Sequence, residues 1–388
     1  MPFIFLLSAN FIFYITFVQF GLLRMINGRF GLSIESLGLP LGLMALTGAL
    51  ASVSTGYLID KYSLSLRRIF HIASIISILE GAVAIYSMAV FNRDSLPPLF
   101  VVLGLLMGIN GVLVIRVVEA WPVTTRGLMA GCAMALVYLA ANIIAGFVST
   151  PERVALICGI VTVINGVLCL PYPLQNPPSP PFAKGENFLS PPLKKGDQGG
   201  LSYLKVIVIL AGLVAVDSFV FHIETNREEL YRYTWEGRWL WNGIVHAVTA
   251  IAAGVIWDKR GERPVFAIML SAFALALILL ALFPIGYFTG FISTLFYNTA
   301  VSFYGIMMIV IWYYIAPEIG TGLKIGTGMA FAGWVASPLG IGLAIKTASA
   351  PVNVLLIGPL IVVMFLVLIN LFFAAFAPLR DKSIKGVL

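Results

Sequence analysis

Charge is scarce in this chain. Only 11% of its 388 residues are Asp, Glu, Lys or Arg, against a hydrophobic fraction of 60% and a mean hydropathy of +0.99. A water-soluble domain carries roughly 25% charged residues to solvate its outer face, so the shortage excludes an ordinary globule. Cysteine and histidine are nearly missing too, with three of each. Cys132, Cys158 and Cys169 fall inside apolar runs and form no C-x-x-C pair, which argues for small packing residues rather than a disulfide or zinc framework. His71, His222 and His246 are too scattered to hold a metal. No P-loop stands anywhere, so ATP-driven work has no support. No Ser/His/Asp arrangement rises above chance, and no enzyme, cofactor or metal centre is expected. Acidic residues, 17, are outnumbered by 24 basic ones for a net charge of +7. No basic run with interleaved aromatics occurs in a polar domain, so nucleic acid is not an expected partner.

What the chain has instead is apolar runs of about twenty residues, the length that crosses a hydrocarbon core of ~30 Å. The alternation of a lipid-facing strand is missing, which leaves helices as the way to satisfy the backbone in lipid. Twelve spans are predicted, at 3–23, 37–58, 69–91, 98–119, 127–149, 154–171, 204–225, 237–257, 265–284, 289–314, 325–345 and 352–377. The first lacks a basic n-region and a small-x-small site before Arg24, so it reads as a retained span rather than a secretory signal. Residues 172–203 differ in kind, being rich in Pro, Gly, Ser and charge. An internal echo runs through them, from Ser179-Pro180-Pro181 to Ser190-Pro191-Pro192. Such a segment cannot bury a core, and it reads as a disordered cytoplasmic linker, or as a partner-binding polyproline segment, between a bundle at 1–171 and another at 204–388.

Lys and Arg set the orientation. With both termini inside, the inner segments hold fifteen basic residues and the outer ones eight, with Arg116 left within a span. The excess on one side predicts a multi-pass protein of the cell or inner membrane with both termini cytoplasmic. One local conflict stands: Arg24 and Arg29 follow the first span and nothing basic precedes it.

The halves repeat. Gly56-Tyr57-Leu58-Ile59-Asp60-Lys61 follows span two, and Gly254-Val255-Ile256-Trp257-Asp258-Lys259 follows span eight, 198 residues later. Gly127-Leu128, Gly131 and Met134-Ala135 match Gly322-Leu323, Gly326 and Met329-Ala330 at an offset of 195, which Pro122 and Pro317 share. Six spans plus six in parallel orientation follow, and such repeats place a site at mid-depth between the halves.

On these residues the chain resembles the major facilitator superfamily, whose loop G-x-L-x-D-[RK]-x-G-[RK]-[RK] follows the second span and recurs more weakly after the eighth. Ser63 stands where the family has Gly, and Arg67 and Arg68 come late. The second copy continues through Arg260 and Gly261, with Glu262 before Arg263. The resemblance implies an all-α membrane fold of twelve helices in two pseudo-symmetric six-helix halves. It also implies a latch, in which Asp60 faces the start of span eleven near Gly322 and Asp258 the start of span five near Gly127. A carboxylate is favoured at a helix N-terminus. Gly56, Asp60, Lys61, Arg67, Arg68, Arg126, Gly254, Asp258, Lys259 and Arg260 are the candidate gating residues. The GxxxG pairs Gly127/Gly131 and Gly322/Gly326 let helices approach closely.

Polar groups inside a bilayer are costly and mark pathways. Asn10 and Tyr14 share a stripe of span one with Phe17 and Arg24. Span four holds Asn110, Arg116 and Glu119, and span seven Asp217 and Glu224. Span eight holds Asn242 and His246, and span ten Asn298, Ser302, Tyr297 and Tyr304. In the resembling fold spans one, four, seven and ten line the central cavity, which makes Asn10, Tyr14, Asn110, Arg116, Glu119, Asp217, Asn242, His246, Asn298 and Tyr304 the candidate pathway. Arg116 suits an anionic group, or forms a structural pair with Glu119. Asp217 suits proton coupling, or hydrogen bonding to a neighbouring helix. His246 is a proton carrier or a packed, hydrogen-bonded residue. Glu224 and His222 read as a solvated outer rim, and Trp239, Trp241, Trp312 and Trp334 as belt residues at span ends or interfaces. Glu80, in a span peripheral in the resembling fold, faces lipid or a neighbour; it is either protonated or paired and has no assigned role.

These features lead to an expectation of a monomeric secondary transporter. It moves a small solute by alternating access, coupled to protons and surrounded by membrane lipid. A lipid flippase on the same fold, a non-transporting sensor or assembly factor, and a membrane-embedded enzyme are the alternatives.

Overall fold

The computed structural model describes residues 2–171 and 199–384, apart from Ser33, Val90, Phe91, Ser149 and Pro317. The echo at 179–197, the Lys residues within it, Lys385 and the Pro122–Pro317 match lie wholly or partly outside the described residues. Every regular element among those described is helical.

Twelve helices are long and apolar enough to span a membrane. In chain order they are α1 (Pro2–Phe30), α2 (Gly38–Lys61), α3 (Leu66–Met88), α4 (Leu96–Ala120), α5 (Val123–Phe147) and α6 (Pro151–Cys169), then α7 (Tyr203–Asn226), α8 (Trp239–Arg260), α9 (Glu262–Leu282), α10 (Tyr287–Tyr313), α11 (Thr321–Thr347) and α12 (Val352–Asn370). The helix of α7 begins at Gly199, inside the segment expected as linker, and that of α12 runs on to Ile384. A short helix, Glu228–Thr234, lies between α7 and α8. Backbone bonding loosens to a π-helical pattern over Phe13–Leu22 of α1 and Met329–Ala336 of α11. Such segments often accompany functional sites.

Within the first half α2 packs on α4 and α3 on α6; in the second, α9 packs on α10 and α12, and α7 on α11. The halves meet along two seams, α5 against α8 and α2 against α11. Enclosure follows this plan. The apolar window of α10 is 78% buried and that of α2 or α12 only 33%, so α10 is a central helix and the other two keep broad faces for lipid.

Glycine makes both seams possible. A Cβ on Gly127 would come within 2.6 Å of the Gly254 carbonyl oxygen, and one on Gly131 within 2.7 Å of that of Ala250. On the other seam, a Cβ on Gly56 would strike the Gly322 carbonyl and one on Gly326 that of Ser52. The obstacle is backbone in each case, which cannot swing aside as a side chain can. The two GxxxG pairs are therefore the contact surfaces between halves. The α5–α8 seam continues to the far end of the helices, where Gly146 packs on Trp239. On the α2–α11 seam the contact is concentrated toward the Asp60 end and at mid-depth, where Gly48 accommodates Trp334, and the outer part of α11 scarcely touches α2.

Candidate functional site

At the expected latch positions two carboxylates join the halves at one face of the molecule, the latch face. Asp60, at the end of α2, accepts hydrogen bonds from the backbone N–H of Gly322 (2.9 Å) and Leu323 (2.7 Å) at the start of α11. Asp258, at the end of α8, accepts from Gly127 and Leu128 at the start of α5, both at 2.7 Å. Free N–H groups at a helix start and a carboxylate complement each other, and a hydrogen bond to a charged group contributes about 1.5–3 kcal/mol. Ser63 has φ 46° and Gly261 φ 76°, so the turn after each latch is left-handed and Ser63 keeps the conformation that favours glycine.

The other gating candidates divide. Gly56 and Gly254 form the seams. Lys61 lies outside them, over the rings of Tyr57 and Tyr62 at 5.4 and 5.7 Å. Arg67, Arg68, Lys259 and Arg260 are exposed on the latch face and take no part in the carboxylate–helix contacts. Arg126 is buried, donates to the carbonyls of Glu119 and Trp121, and stacks 4.6 Å from the Tyr313 ring. Tyr313 in turn donates to the Ile115 carbonyl and so links α10 to α4 across the halves.

Asp217 is the centre of the polar groups at mid-depth. It is half-buried on α7. Tyr297 donates to Oδ1 at 2.6 Å and Tyr304 donates to Oδ2, both from α10. Tyr14 of α1 and Tyr138 of α5 are within electrostatic range of the same carboxyl from the opposite half. Tyr138 stacks on the His246 ring at 4.4 Å, and His246 Nδ1 pairs with Ser302 Oγ at 2.9 Å. Asn298, fully buried on α10, stands beside His246. Ser218 of α7 donates to Ser337 of α11 at 2.8 Å, and Tyr14 reaches that serine too. Tyrosines from both halves, one histidine and one carboxyl thus meet where the halves meet.

Four expectations change, and Arg116 takes the second of its two readings. Asn10 and Asn110 do not line this space: both are buried within the first half, where their amides donate to Glu80 at 3.4 and 2.6 Å. Helix rotation explains it, since the side of α1 bearing Asn10 turns toward α3. Arg116 and Glu119 pair with each other near the latch face, at the 3-10 end of α4, with Glu119 exposed. Asn242 donates to the Thr234 carbonyl at 3.3 Å and secures the short helix above α8. Glu224 is no solvated rim: it is fully buried and accepts from Trp235 Nε1 at 2.9 Å. Trp312 and Trp334 are buried instead of lying in a belt. The first packs on Gly328, and the second donates to Ser52 at 3.1 Å on the α2–α11 seam.

Tyr138, Tyr313 and Lys324 are interface groups that the sequence patterns did not single out. Lys324 is buried and its ammonium donates to the carbonyls of Ile315 (2.7 Å) and Ala316 (3.2 Å). A tyrosine within an apolar span is a weak signal in sequence, because lipid-facing and interface tyrosines look alike. Only the seam tells them apart.

Two six-helix halves, latched at one face and sharing a polar centre at mid-depth, are the architecture of a polytopic helical carrier. The chain matches the Major Facilitator Superfamily over residues 5–344, and it belongs to that superfamily of membrane transporters. Solved structures agree in fold. The MFS proton:xylose symporter XylE bound to 6-bromo-6-deoxy-D-glucose has a TM-score of 0.67 at 15% identity, over 97% of this chain and 95% of that one. The human organic anion transporter MFSD10 (TETRAN) has a TM-score of 0.63 at 14% identity, over 93% and 97%. FucP in its outward conformation has a TM-score of 0.60 at 15% identity, over 96% and 98%. At such identities the likeness establishes the fold. No curated protein sequence matches the chain.

Proposed function

We propose that the protein is a secondary transporter that moves a small, polar, uncharged solute between its halves by alternating access, with Asp217 as the proton-coupling group. The carrying observation is the placement of Asp217. It is a half-buried carboxyl on α7 where the two bodies of the protein face each other, held by Tyr297 and Tyr304, with Tyr14 and Tyr138 across from it. A carboxyl at that depth binds solute and proton in one place, so that one event reports on the other. The surrounding hydroxyls and rings suit a hydroxyl-bearing solute, since they offer hydrogen bonds and stacking faces. Arg116, the cation expected in the pathway, lies instead at the latch face with Glu119, which argues against an anionic solute. The latch face is taken as cytoplasmic from the excess of Lys and Arg on that side. With both latches engaged, the closed face is the inner one, and breaking the four N–H bonds is part of opening it.

The test is uptake by proteoliposomes holding the full chain, screened over hydroxylated solutes with and without a pH gradient. Gradient-dependent accumulation of one class is expected. Asp217→Asn should keep solute exchange and lose accumulation. Accumulation by Asp217→Asn equal to wild type at every pH would remove Asp217 from the coupling role. A screen with no gradient-dependent flux would remove the proton.

A further inference from the structure

Another carboxyl is buried wholly within the first half, far from Asp217 and Glu224. Glu80 lies on α3 with no exposed surface, and Asn110 on α4 and Ser77 on α3 are equally closed. Glu80 Oε2 accepts from Asn110 Nδ2 at 2.6 Å and from Asn10 Nδ2 at 3.4 Å, and the Asn110 amide also donates to Ser77 Oγ at 3.1 Å. Two atoms of this cluster have no partner: Glu80 Oε1 and Asn110 Oδ1, both buried. Both are oxygens that can only accept when the acid is ionised.

No counter-charge meets the carboxyl. The ion pairs among the described residues lie elsewhere. From α1 the facing group is Asn10 and from α4 it is Asn110. From α6, Gly159 and Val163 pack on the neighbouring Gly81, with the buried thiol of Cys158 beside them. None of these is cationic. An ionised acid would therefore sit uncompensated in a dry interior, the arrangement proteins avoid most strongly. A bound metal cation fits poorly, because two amides turn their N–H hydrogens toward the carboxyl.

One proton resolves all of this. On the carboxyl it removes the charge and turns an acceptor into a donor. It lets acid and amide bond reciprocally, O–H to amide oxygen and amide N–H to the other carboxyl oxygen. We propose that Glu80 and Asn110 form a proton-binding site inside the first half, whose resident proton completes an acid–amide pair tying α1, α3 and α4 into one rigid body and takes no part in transport. The site stands apart from Asp217 and does not depend on the role given to that residue.

The full chain in liposomes tests it. Infrared spectroscopy at neutral pH should show a protonated carboxyl C=O band that disappears in Glu80→Gln. Gln reproduces the shape and donor of the neutral acid, so Glu80→Gln should keep the wild-type melting temperature and the wild-type uptake, whereas Glu80→Ala loses melting temperature. Asn110→Ser is the independent check, because losing the amide partner shifts the same band. Four results would overturn the proposal: no such band at neutral pH, a band indifferent to Asn110, Glu80→Gln as unstable as Glu80→Ala, or a sodium-induced rise in melting temperature that Glu80→Gln abolishes. Loss of gradient-driven accumulation in Glu80→Gln with exchange intact would show that this proton moves, and would equally overturn it.

Discussion

The two halves share a fold but spend their polar groups differently. The first turns Asn10, Ser77, Glu80 and Asn110 upon one another inside its own core. The second gathers Asp217, Tyr297, Tyr304 and Ser218 where Tyr14 and Tyr138 of the first come within range of the carboxyl. Pseudo-symmetry of backbone therefore does not carry over to chemistry. A carboxyl within one half moves with that half as it rocks, and its surroundings stay constant. Asp217 keeps its α10 tyrosines but faces Tyr14 and Tyr138 across the halves, and a rocking of one half on the other would change those two contacts.

Substitutions can break that contrast. The largest effect is expected for Asp217→Asn, with accumulation down at least about 100-fold, the lower end of what a positioned proton-transfer group contributes. It is measured as gradient-driven uptake beside an unaffected Glu80→Gln. If both variants or neither lost accumulation, the distinction between seam and core would fail.

The latches come next. Asp60→Ala removes two hydrogen bonds to a carboxylate, each contributing about 1.5–3 kcal/mol, which corresponds to a shift of ten-fold or more toward an open latch face. Spin-label distances between the latch-face ends of α2 and α11 would report it. Asp258→Ala should open its own seam less, because α5 and α8 also hold each other at Gly131 and Gly146. Equal opening would show that the far-end packing adds nothing.

Tyr304→Phe removes one donor from Asp217 and should lower uptake roughly ten-fold, as one hydrogen bond to a charged group implies. Tyr313→Phe, at the latch face, should leave solute affinity alone and speed opening there, read as labelling of a cysteine placed on that face. Smallest of all, Arg68→Gln should change stability by no more than about 0.5 kcal/mol, as usual for an exposed site, with uptake as in wild type.

Much of this was readable before any coordinates. The twelve spans follow from run length, and the carboxylate contacts at Gly127 and Gly322 from the family resemblance that the repeated Gly-to-Asp string carries. Asp217 was legible because a mid-span acid is rare. Asn10, Asn110 and Asn242 misled for a related reason: a polar residue in a span announces that it needs a partner, and it does not announce which one. A turn of roughly 100° about the helix axis, one residue's worth, separates a seam-facing amide from one facing α3. The same ambiguity hid Tyr138 and Tyr313 and left Glu80 without a role.

Solvent explains the division. Lipid forces every unpaired backbone group into helices and every run to one length, so composition and hydropathy alone determine the membrane class, the span count and, through the repeat, the two-bodied plan. Which polar groups meet is a matter of helix rotation and seam contact, decided by long-range packing of glycine on backbone. Only the tertiary structure could separate the acid on the seam from the acid in the core.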